Sequence, residues 1–393
     1  MTIRICGDVE MVKYRLGDIC EIVSGSTPKT GVSEYWDGDK KWITPAEITD
    51  ESYIITDSVR KLTELGVTKT GLSSFPKGTV ILSSRAPIGK VAIAGCEMYC
   101  NQGFKNLICS QKIYNRYLYW FLKGNTEYLN SLGRGATFKE ISKQIVASIE
   151  INVPDMEQQI QAAENLERVS SIIRLRKKEL QKLDDLVKAR FVELFGDPII
   201  NPRGFEKVPL SKLAEIKIGP FGSLLHKEDY IQAGHALVNP SHIIDGKISI
   251  DSKLTVSEEK FNELRAYHLR VGDVVMGRRG EMGRCAVVTE NGLLCGTGSL
   301  LIRPNGEVTA DYIQKIISFP SFKKTIEEMA VGQTMPNLNV PIVSRFQIIK
   351  PPFEIQKAYY AFVSQTDKSK VAIQKALDEA QLLFDSLMQK YFG

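Results

Sequence analysis

The sequence contains two copies of one pattern, and this duplication restricts the folds open to the chain. Four residues near the start recur 194 positions later: Leu16, Glu21, Ile22 and Gly25 return as Leu210, Glu215, Ile216 and Gly219. Farther along, six residues recur with an offset of 197: Gly135, Thr137, Ile145, Pro154, Glu157 and Gln159 return as Gly332, Thr334, Ile342, Pro351, Glu354 and Gln356. Each copy is far longer than a solenoid repeat and long enough to bury its own core. We therefore predict two similar domains.

The charge balance is only mildly basic. The 393 residues include 51 Lys and Arg against 46 Asp and Glu, a formal net charge of +5. A typical DNA-binding domain is more basic than this. The charge therefore permits a nucleic-acid partner without predicting one, and positive charge on a DNA-binding surface has to be local or shared with partner subunits.

The sequence favours a cytoplasmic protein without a membrane segment. No apolar run has the length of a membrane span, and the N-terminus lacks the apolar core of a signal peptide. The seven cysteines fit a reducing compartment. Cys96, Cys100 and Cys109 match no common zinc-binding spacing and have no histidine nearby, so a metal site is not predicted.

Each copy is predicted to be a mixed α/β (α+β) globular part followed by a long helix. Glycine turns separate short strand-like runs such as residues 79–82 and 273–276. Pro154 and Pro351 mark the helix starts, and Glu157 and Glu354 suit the first turn. The predicted segments are a first globular domain at 1–155, a first helix at 156–196, a second globular domain at 197–352 and a second helix at 353–393.

The two helices carry apolar residues at heptad positions. The predicted interface residues are Leu166, Ile173, Leu180, Leu183, Val187 and Leu194 in the first helix, and Ile373, Leu377, Phe384 and Leu387 in the second. Heptads sustained over this length favour a coiled-coil seam. About 38 helical residues extend roughly 57 Å, so each helix needs a partner, and the other helix is the nearest candidate. Together they would form a rod that holds the domains apart. The alternative is that each helix packs on its own domain.

The motifs that resemble catalytic sites are incomplete. Residues 277–284 look like a phosphate loop but lack its Gly-Lys-Ser/Thr ending. Lys350-Pro351-Pro352-Phe353 resembles an amino-methyltransferase signature, but lysine cannot accept the hydrogen bond which that site requires. All four histidines lie in the second copy. With no recurring nucleophile–base set or carboxylate pair, the sequence predicts a chain that is not an enzyme by itself.

Basic side chains beside glycines recur in both copies and are candidate DNA contacts. Arginine is the commonest reader of guanine edges, although basic turns are often only solvated and a Gly-x-Thr turn is often only a turn. The predicted contact residues are Arg85, Lys90, Lys105, Thr137, Lys139, Arg278, Arg279, Arg284, Thr334 and Asn337.

These features together resemble the specificity subunit of type I restriction–modification systems. The segments that carry the resemblance are residues 16–19 (LGDI), 24–28 (SGSTP), 42–48 (WITPAEI), 83–89 (SSRAPIG), 101–105 (NQGFK) and 154–159 (PDMEQQ), with the turn of Gly135 and Thr137. Each motif is weak alone, but their order and duplication are specific. The second copy lacks the Trp-x-Thr-Pro, Ser-Arg-Ala-Pro and Asn-Gln-Gly-Phe words.

The resemblance implies a pseudo-twofold arrangement of two target recognition domains and two spacer helices that pair antiparallel. The domains would bind the two halves of a split double-stranded DNA target, and the helices would set the unread gap. Two modification subunits carrying S-adenosylmethionine would dock on the chain, and restriction subunits using ATP and Mg²⁺ would join them. The chain itself would hold no cofactor and no metal.

Two other functions compete with this prediction. The paired helices would suit a scaffold that organises protein partners without reading DNA. A fused methyltransferase–specificity polypeptide is disfavoured, because the chain has no cofactor motif and no room for a further domain. The sequence leaves open the target bases, the gap length, the residues that contact bases, self-association and the presence of a restriction subunit.

Overall fold

The computed structural model describes residues 11–135, 139–330 and 337–393. The chain forms two compact units, and both long helices contribute to both of them. The first unit comprises Met1–Lys178 and Gln374–Gly393, and the second comprises Glu179–Ile373. Each unit therefore contains one globular domain, the starting part of one long helix and the ending part of the other.

The first globular domain (residues 11–155) begins and ends with strands that pair with each other. Its elements in chain order are β1 (Val12–Arg15), α1 (Leu16–Ile19), β2 (Cys20–Ser24), β3 (Trp36–Ile43), β4 (Ile54–Ile55), β5 (Arg60–Leu62), α2 (Glu64–Thr70), β6 (Val80–Leu82), β7 (Val91–Ala94), β8 (Tyr99–Cys100), β9 (Lys105–Cys109), α3 (Asn115–Gly124), α4 (Thr126–Ser131), α5 (Lys143–Ser148) and β10 (Glu150–Val153). Its sheets have the strand orders β2-β9-β6-β7-β4, β5-β3-β8 and β1-β10.

The first long helix comes next in the chain, followed by the second globular domain (residues 197–352) and the second long helix. The elements are α6 (Met156–Phe195), β11 (Glu206–Pro209), α7 (Leu210–Leu213), β12 (Ala214–Ile218), β13 (Tyr230–Ile231), β14 (His235–Val238), β15 (Ile243–Ile244), β16 (Lys247–Ile248), β17 (Thr255–Val256), α8 (Glu258–Glu263), β18 (His268–Leu269), β19 (Val274–Gly277), β20 (Cys285–Val287), β21 (Leu293–Cys295), β22 (Ser299–Pro304), α9 (Ala310–Ser318), α10 (Pro320–Ala330), α11 (Val340–Ser344), β23 (Gln347–Lys350) and the second long helix α12 (Phe353–Phe392).

The second domain repeats the sheet pattern of the first. Its sheets have the orders β12-β22-β19-β20, β13-β17-β14-β21-β18, β11-β23 and β15-β16. One parallel pair recurs in an otherwise largely antiparallel arrangement: Ile43 opposes Cys100 in the first domain, and Val238 opposes Cys295 in the second. The predicted α+β class and internal repeat are confirmed.

Repeated glycines mark a point where two backbones touch. A Cβ added to Gly25 would lie 2.0 Å from the carbonyl oxygen of Cys100, and one added to Gly219 would lie 2.0 Å from that of Gly296. No side chain fits at such a distance. The recurrence of this glycine therefore reflects packing of the segment after β2 against the end of β8, and of the segment after β12 against the residue that follows β21.

A buried glutamine fixes the start of each long helix. Gln159 donates to the carbonyl oxygens of Pro154 (2.9 Å) and Lys112 (3.1 Å) and accepts from the Tyr114 amide (2.8 Å). Gln356 donates to the carbonyl of Pro351 (3.0 Å) and accepts from the Thr309 amide (3.2 Å). Both glutamines are essentially inaccessible. These bonds satisfy backbone groups that would otherwise be buried without partners, which explains the recurring Pro-x₄-Gln spacing.

The two long helices have equal length and pair antiparallel, as predicted. Each contains 40 residues. In the second unit Asp184 accepts from Lys370 at 2.6 Å, while the later Phe191 lies against the earlier Tyr359 with ring centroids 5.6 Å apart. In the first unit the Asn165 amide donates to the Tyr391 hydroxyl at 3.1 Å. From Asn165 through Asp184 to Phe191 along α6, the contacted residue of α12 falls from Tyr391 through Lys370 to Tyr359.

Several predicted heptad residues also pack on the globular cores. Leu166 is buried in the core of the first domain, where Phe384 and Leu387 pack beside it. Val187 is buried in the core of the second domain, with Leu194 against it. Of the other predicted interface residues, Ile173 is buried, and the half-buried ones are Leu180, Leu183, Ile373 and Leu377. Packing on a domain and pairing between helices therefore occur together.

The aromatic end of each helix completes a core built from the other copy. Phe195 of α6 is 0% exposed, and its ring centroid lies 5.1 Å from that of Tyr312 and 5.5 Å from that of Tyr359. Phe392 of α12 packs against Tyr117 and Phe121 at 4.9 and 5.8 Å. The two tyrosines at equivalent positions also bond equivalent carbonyls: Tyr117 bonds Asn152, and Tyr312 bonds Ile349. Neither sequence copy therefore builds a complete core alone.

None of the helices in the described part of the chain is both long enough and apolar enough to span a bilayer.

Removing the Phe195 ring tests how much this helix end contributes to stability. Phe195→Ala is expected to lower the free energy of unfolding of the second unit by about 3–5 kcal/mol, since it leaves a cavity in a closed core. Denaturant unfolding followed by far-ultraviolet circular dichroism measures the change in the free energy of unfolding. Val192→Ala is the matched control, because Val192 is 48% exposed on the same turn and should change stability by about 0.5 kcal/mol or less. Equal effects of the two substitutions would contradict this role of Phe195.

Candidate nucleic-acid interface

Three segments of the first domain meet at the end of β6. The Ser84 amide donates to the Gly103 carbonyl at 2.7 Å, and the Ile141 amide donates to the Ser84 carbonyl at 2.8 Å. Arg85 then forms an isolated antiparallel bridge with Glu140. The loop after β6, the segment before β9 and the segment before α5 are thereby joined by backbone bonds.

The second domain builds the same junction. The Arg278 amide donates to the Gly298 carbonyl at 3.0 Å, and the Leu338 amide donates to the Arg278 carbonyl at 2.9 Å. These bonds make Arg278 the structural equivalent of Ser84, and Asn337 the equivalent of Glu140. The backbone of the junction is therefore conserved between the two domains while its side chains differ.

In the first domain, Glu140 binds two of the predicted DNA-contact residues. Its carboxylate accepts from Arg85 Nε at 2.8 Å and from Lys105 Nζ at 3.2 Å. Lys105 is only 7% exposed and also lies 3.3 Å from Ser84 Oγ. Burial raises the pKa of Glu140, but the hydrogen bonds from Arg85 and Lys105 outweigh it, and the pKa falls below its ordinary value of 4.5. Lys105 is thus a buried structural cation, whereas the Arg85 side chain remains 44% exposed.

In the second domain an amide takes the place of the carboxylate. Arg278 Nε donates to Asn337 Oδ1 at 3.1 Å, and Arg279 is exposed beside it. Burial, and then the charge of Arg279, lower the pKa of Arg278. Leu300, fully buried, takes the position of Lys105 in the strand pairing. The second junction therefore carries two arginines and no acidic side chain at the acceptor position.

Lys90 and Arg284 make the same bond in their two domains. Lys90 Nζ lies 3.2 Å from the Pro45 carbonyl, and Arg284 Nη1 lies 3.2 Å from the Pro240 carbonyl. Arg284 also pairs with Glu281 at 2.6 Å. Both side chains are half-buried. These contacts tie the hairpin between β6 and β7, or between β19 and β20, to a neighbouring turn.

That neighbouring turn is a short 3₁₀ helix, Pro45–Glu47 in one domain and Pro240–His242 in the other. Glu47 closes the first by accepting from the Thr44 amide at 2.8 Å, and His242 Nδ1 lies 3.2 Å from the Asn239 amide. The second copy lacks the Trp-x-Thr-Pro word in its sequence. The structure shows that the turn itself is retained with Asn239-Pro240, because a different capping pair forms the same backbone.

The remaining predicted contacts fall around these junctions. Lys139 is exposed directly before Glu140. Thr137 and Thr334 lie outside the described residues. Glu140 is not among the DNA-contact residues predicted from the sequence, because an acidic side chain is not expected beside DNA. Its alignment with Asn337 at the 197-residue offset was the available signal.

The comparisons with known proteins agree with this duplicated architecture. Residues 8–185 and 202–381 each match the model of the type I restriction modification DNA specificity domain. The type I restriction enzyme MjaIX specificity subunit of Methanocaldococcus jannaschii is 29% identical over 410 residues, covering 98% of this chain and 92% of the relative. The MjaVIII specificity subunit of the same organism is 22% identical, covering 95% and 91%.

A solved structure shares the fold. The crystal structure of the type I restriction–modification system S subunit from M. genitalium superposes with a TM-score of 0.62 at 16% sequence identity, covering 100% of this chain and 98% of that one. A chain from a study of complex assembly and conformational transition of the type I R-M system gives a TM-score of 0.61 at 17% identity, covering 98% and 99%.

The duplicated junction and fold define a protein with two target recognition domains. Because the family model covers most of both copies, the chain belongs to the type I restriction–modification DNA specificity family. It is a specificity subunit, the component that gives such a system its DNA sequence specificity. The family predicted from the sequence is confirmed.

The lowered pKa of Glu140 predicts a pH-dependent contribution to stability. The contribution is fully present above the ordinary value of 4.5 and is lost as the pH falls through the lowered pKa of the folded state. Glu140→Gln should therefore destabilise the chain at neutral pH, and the difference from the unsubstituted protein should shrink under acid conditions. Denaturant unfolding over a pH series measures it. A difference that grew on acidification would refute the assignment.

Proposed function

We propose that each globular domain of this specificity subunit binds one half of a bipartite double-stranded DNA target. The observation that carries the proposal is the junction built twice on one backbone with different side chains at its surface. One fold presenting two different sets of donors and acceptors suits two different half-sites. Base edges in the major groove are distinguished by such donor and acceptor patterns.

The charge at the junctions supports a DNA contact. The exposed cations include Arg85 and Lys139 in the first domain and Arg279 in the second. Phosphate contacts orient a protein on the duplex, and base contacts supply sequence recognition. A net charge of +5 is modest for this task, so partner subunits supply part of the electrostatic attraction.

We propose that the chain is a non-catalytic subunit and binds no cofactor itself. Two modification subunits would bring S-adenosylmethionine and methyl transfer, and restriction subunits would bring ATP- and Mg²⁺-dependent translocation and cleavage. The relatives named above are specificity subunits of type I restriction enzymes, which supports this division of labour. The complex would act on DNA in the cytoplasm.

The exposed apolar residues of the long helices are the proposed docking surfaces for the modification subunits. They include Ile172, Leu175, Leu186, Val371, Leu382 and Leu383. Exposed apolar side chains grouped on one surface are typical of a binding site for a protein partner. The equal helix lengths of 40 residues support a further role, in which helix length sets the number of unread base pairs.

Substituting one junction arginine tests the independence of the two domains. In the complex with modification subunits, Arg85→Ala or Arg279→Ala is expected to weaken binding or relax recognition in one half-site only, by about 1–3 kcal/mol. Binding to duplexes mutated in either half-site, at several salt concentrations, measures this. Arg345→Ala removes an exposed arginine whose Nε donates to the Pro341 carbonyl and to none of the junction residues, and it serves as the control. Equal relaxation of both half-sites would contradict the proposal.

The scaffold alternative gives a different result in the same assay. A scaffold that does not read DNA would show binding that is insensitive to DNA sequence and to salt. Sequence-dependent binding with the usual steep salt dependence would exclude it.

Lengthening both long helices by one turn tests the role of helix length. One turn adds about 5.4 Å, and B-DNA rises about 3.4 Å per base pair. The gap in the methylated sequence is therefore expected to change by one or two base pairs while each half-site stays the same. Methylation-sensitive sequencing of cellular DNA measures both. Altered half-sites with an unchanged gap would refute the role of the helices.

A further inference from the structure

In each domain, a side-chain oxygen at the same backbone position accepts a hydrogen bond from an arginine. The donor is the arginine Nε in both domains. Glu140 accepts from Arg85 Nε at 2.8 Å, and Asn337 accepts from Arg278 Nε at 3.1 Å. The two arginines come from neighbouring positions of the loop, since Arg278 is equivalent to Ser84. The acceptor position therefore recurs although the arginine that uses it has changed.

A bond at Nε has a specific consequence for the guanidinium group. The group is planar and rigid, so fixing Nε also fixes the direction of the two terminal amino groups. Within the part of the chain that the structure describes, those terminal groups of Arg85 and Arg278 make no hydrogen bond to another residue. They remain as a pair of parallel donors, which matches the O6 and N7 acceptors of guanine.

We propose that Glu140 and Asn337 are positioning residues that orient Arg85 and Arg278 to read a guanine in the first and second half-site, respectively. This inference rests on the proposed function and assigns the base class that each junction recognises. Neither acceptor touches DNA in this arrangement. Each acts by restricting the orientations of an arginine that would otherwise sample many rotamers.

The two acceptors differ in charge, and the difference has a measurable effect. At the first junction Glu140 cancels one of the three positive charges of Arg85, Lys105 and the exposed Lys139, and the local total is two. At the second junction Arg278 and Arg279 lie beside a neutral amide, and the total is two. Replacing Glu140 alone by a neutral residue should therefore raise the salt dependence that the first half-site contributes.

The test measures base preference in the assembled complex with two modification subunits. Duplexes carry each of the four base pairs in turn at every position of both half-sites. Glu140→Ala should reduce discrimination for guanine at one position of the first half-site by about tenfold to a hundredfold, the range for a lost bidentate contact, and leave the second half-site unchanged. Asn337→Ala should do the reverse. Glu140→Gln and Asn337→Asp keep an acceptor and should retain most of the preference.

A second variant separates orientation from folding. Glu140→Ala leaves the buried Lys105 without its carboxylate and lowers stability for that reason. The double variant Lys105→Leu/Glu140→Asn gives the first domain the amide acceptor and the leucine of the second domain, where Leu300 is fully buried, and should fold. The two substitutions remove one positive and one negative charge, so the variant should keep the guanine preference and leave the salt dependence of the first half-site nearly unchanged. Glu150→Ala is the control, because Glu150 pairs with Lys13 at 3.0 Å on an exposed surface of the same domain.

The outcomes distinguish this inference from the proposed function. If the unsubstituted complex discriminates between sequences and Arg85→Ala relaxes one position, but Glu140→Ala lowers only the melting temperature, Glu140 is structural and the positioning role is refuted. A preferred base other than guanine at the affected position would also overturn it. A complex without any sequence preference would instead refute the proposed function itself.

Discussion

The burial of an aromatic helix end in a core from the other sequence copy is the contact on which the rest of the structure depends. Phe195 ends the helix of the first copy and is enclosed by Tyr312 and Tyr359 of the second. Phe392 ends the helix of the second copy and lies against Tyr117 and Phe121 of the first. Burying an aromatic ring stabilises by a few kcal/mol, a large fraction of the stability of a domain. Each copy therefore supplies part of the core of the other.

Because each helix end packs in the core of the other copy, the two copies are alike in the residues that support the backbone. The features that recur serve the backbone: the glutamine at each helix start, the glycine where strands touch, the tyrosine that bonds the last strand and the turn that receives Lys90 or Arg284. Features at the end of β6 and β19 differ in charge and in hydrogen-bonding groups. Two domains that share a fold and bind different half-sites keep the same backbone and differ in the side chains at the binding surface.

Much of the fold could be predicted from the sequence, and the candidate site only in part. The long helices were visible because they contain no proline or glycine over nearly 40 residues and repeat apolar residues every seven. Arg85 and Arg279 were visible because they recur beside glycines. Glu140 was missed, and Lys105 was assigned to DNA although its side chain is 7% exposed and bonded to Glu140. Residues 84, 103 and 140 are far apart in the chain, and no local pattern shows that they meet.

The sequence by itself determined the duplicated α+β architecture, the equal helices and the family, because these depend on periodicity, turn residues and ordered motifs that can be read along the chain. The tertiary structure alone decided which copy's core receives each helix end and which charges neutralise one another at the junctions. Those outcomes depend on distances between residues that are remote in sequence. Whether a cation is a buried structural partner, as for Lys105, or an exposed donor, as for Arg279, depends on what lies within a few ångströms of it.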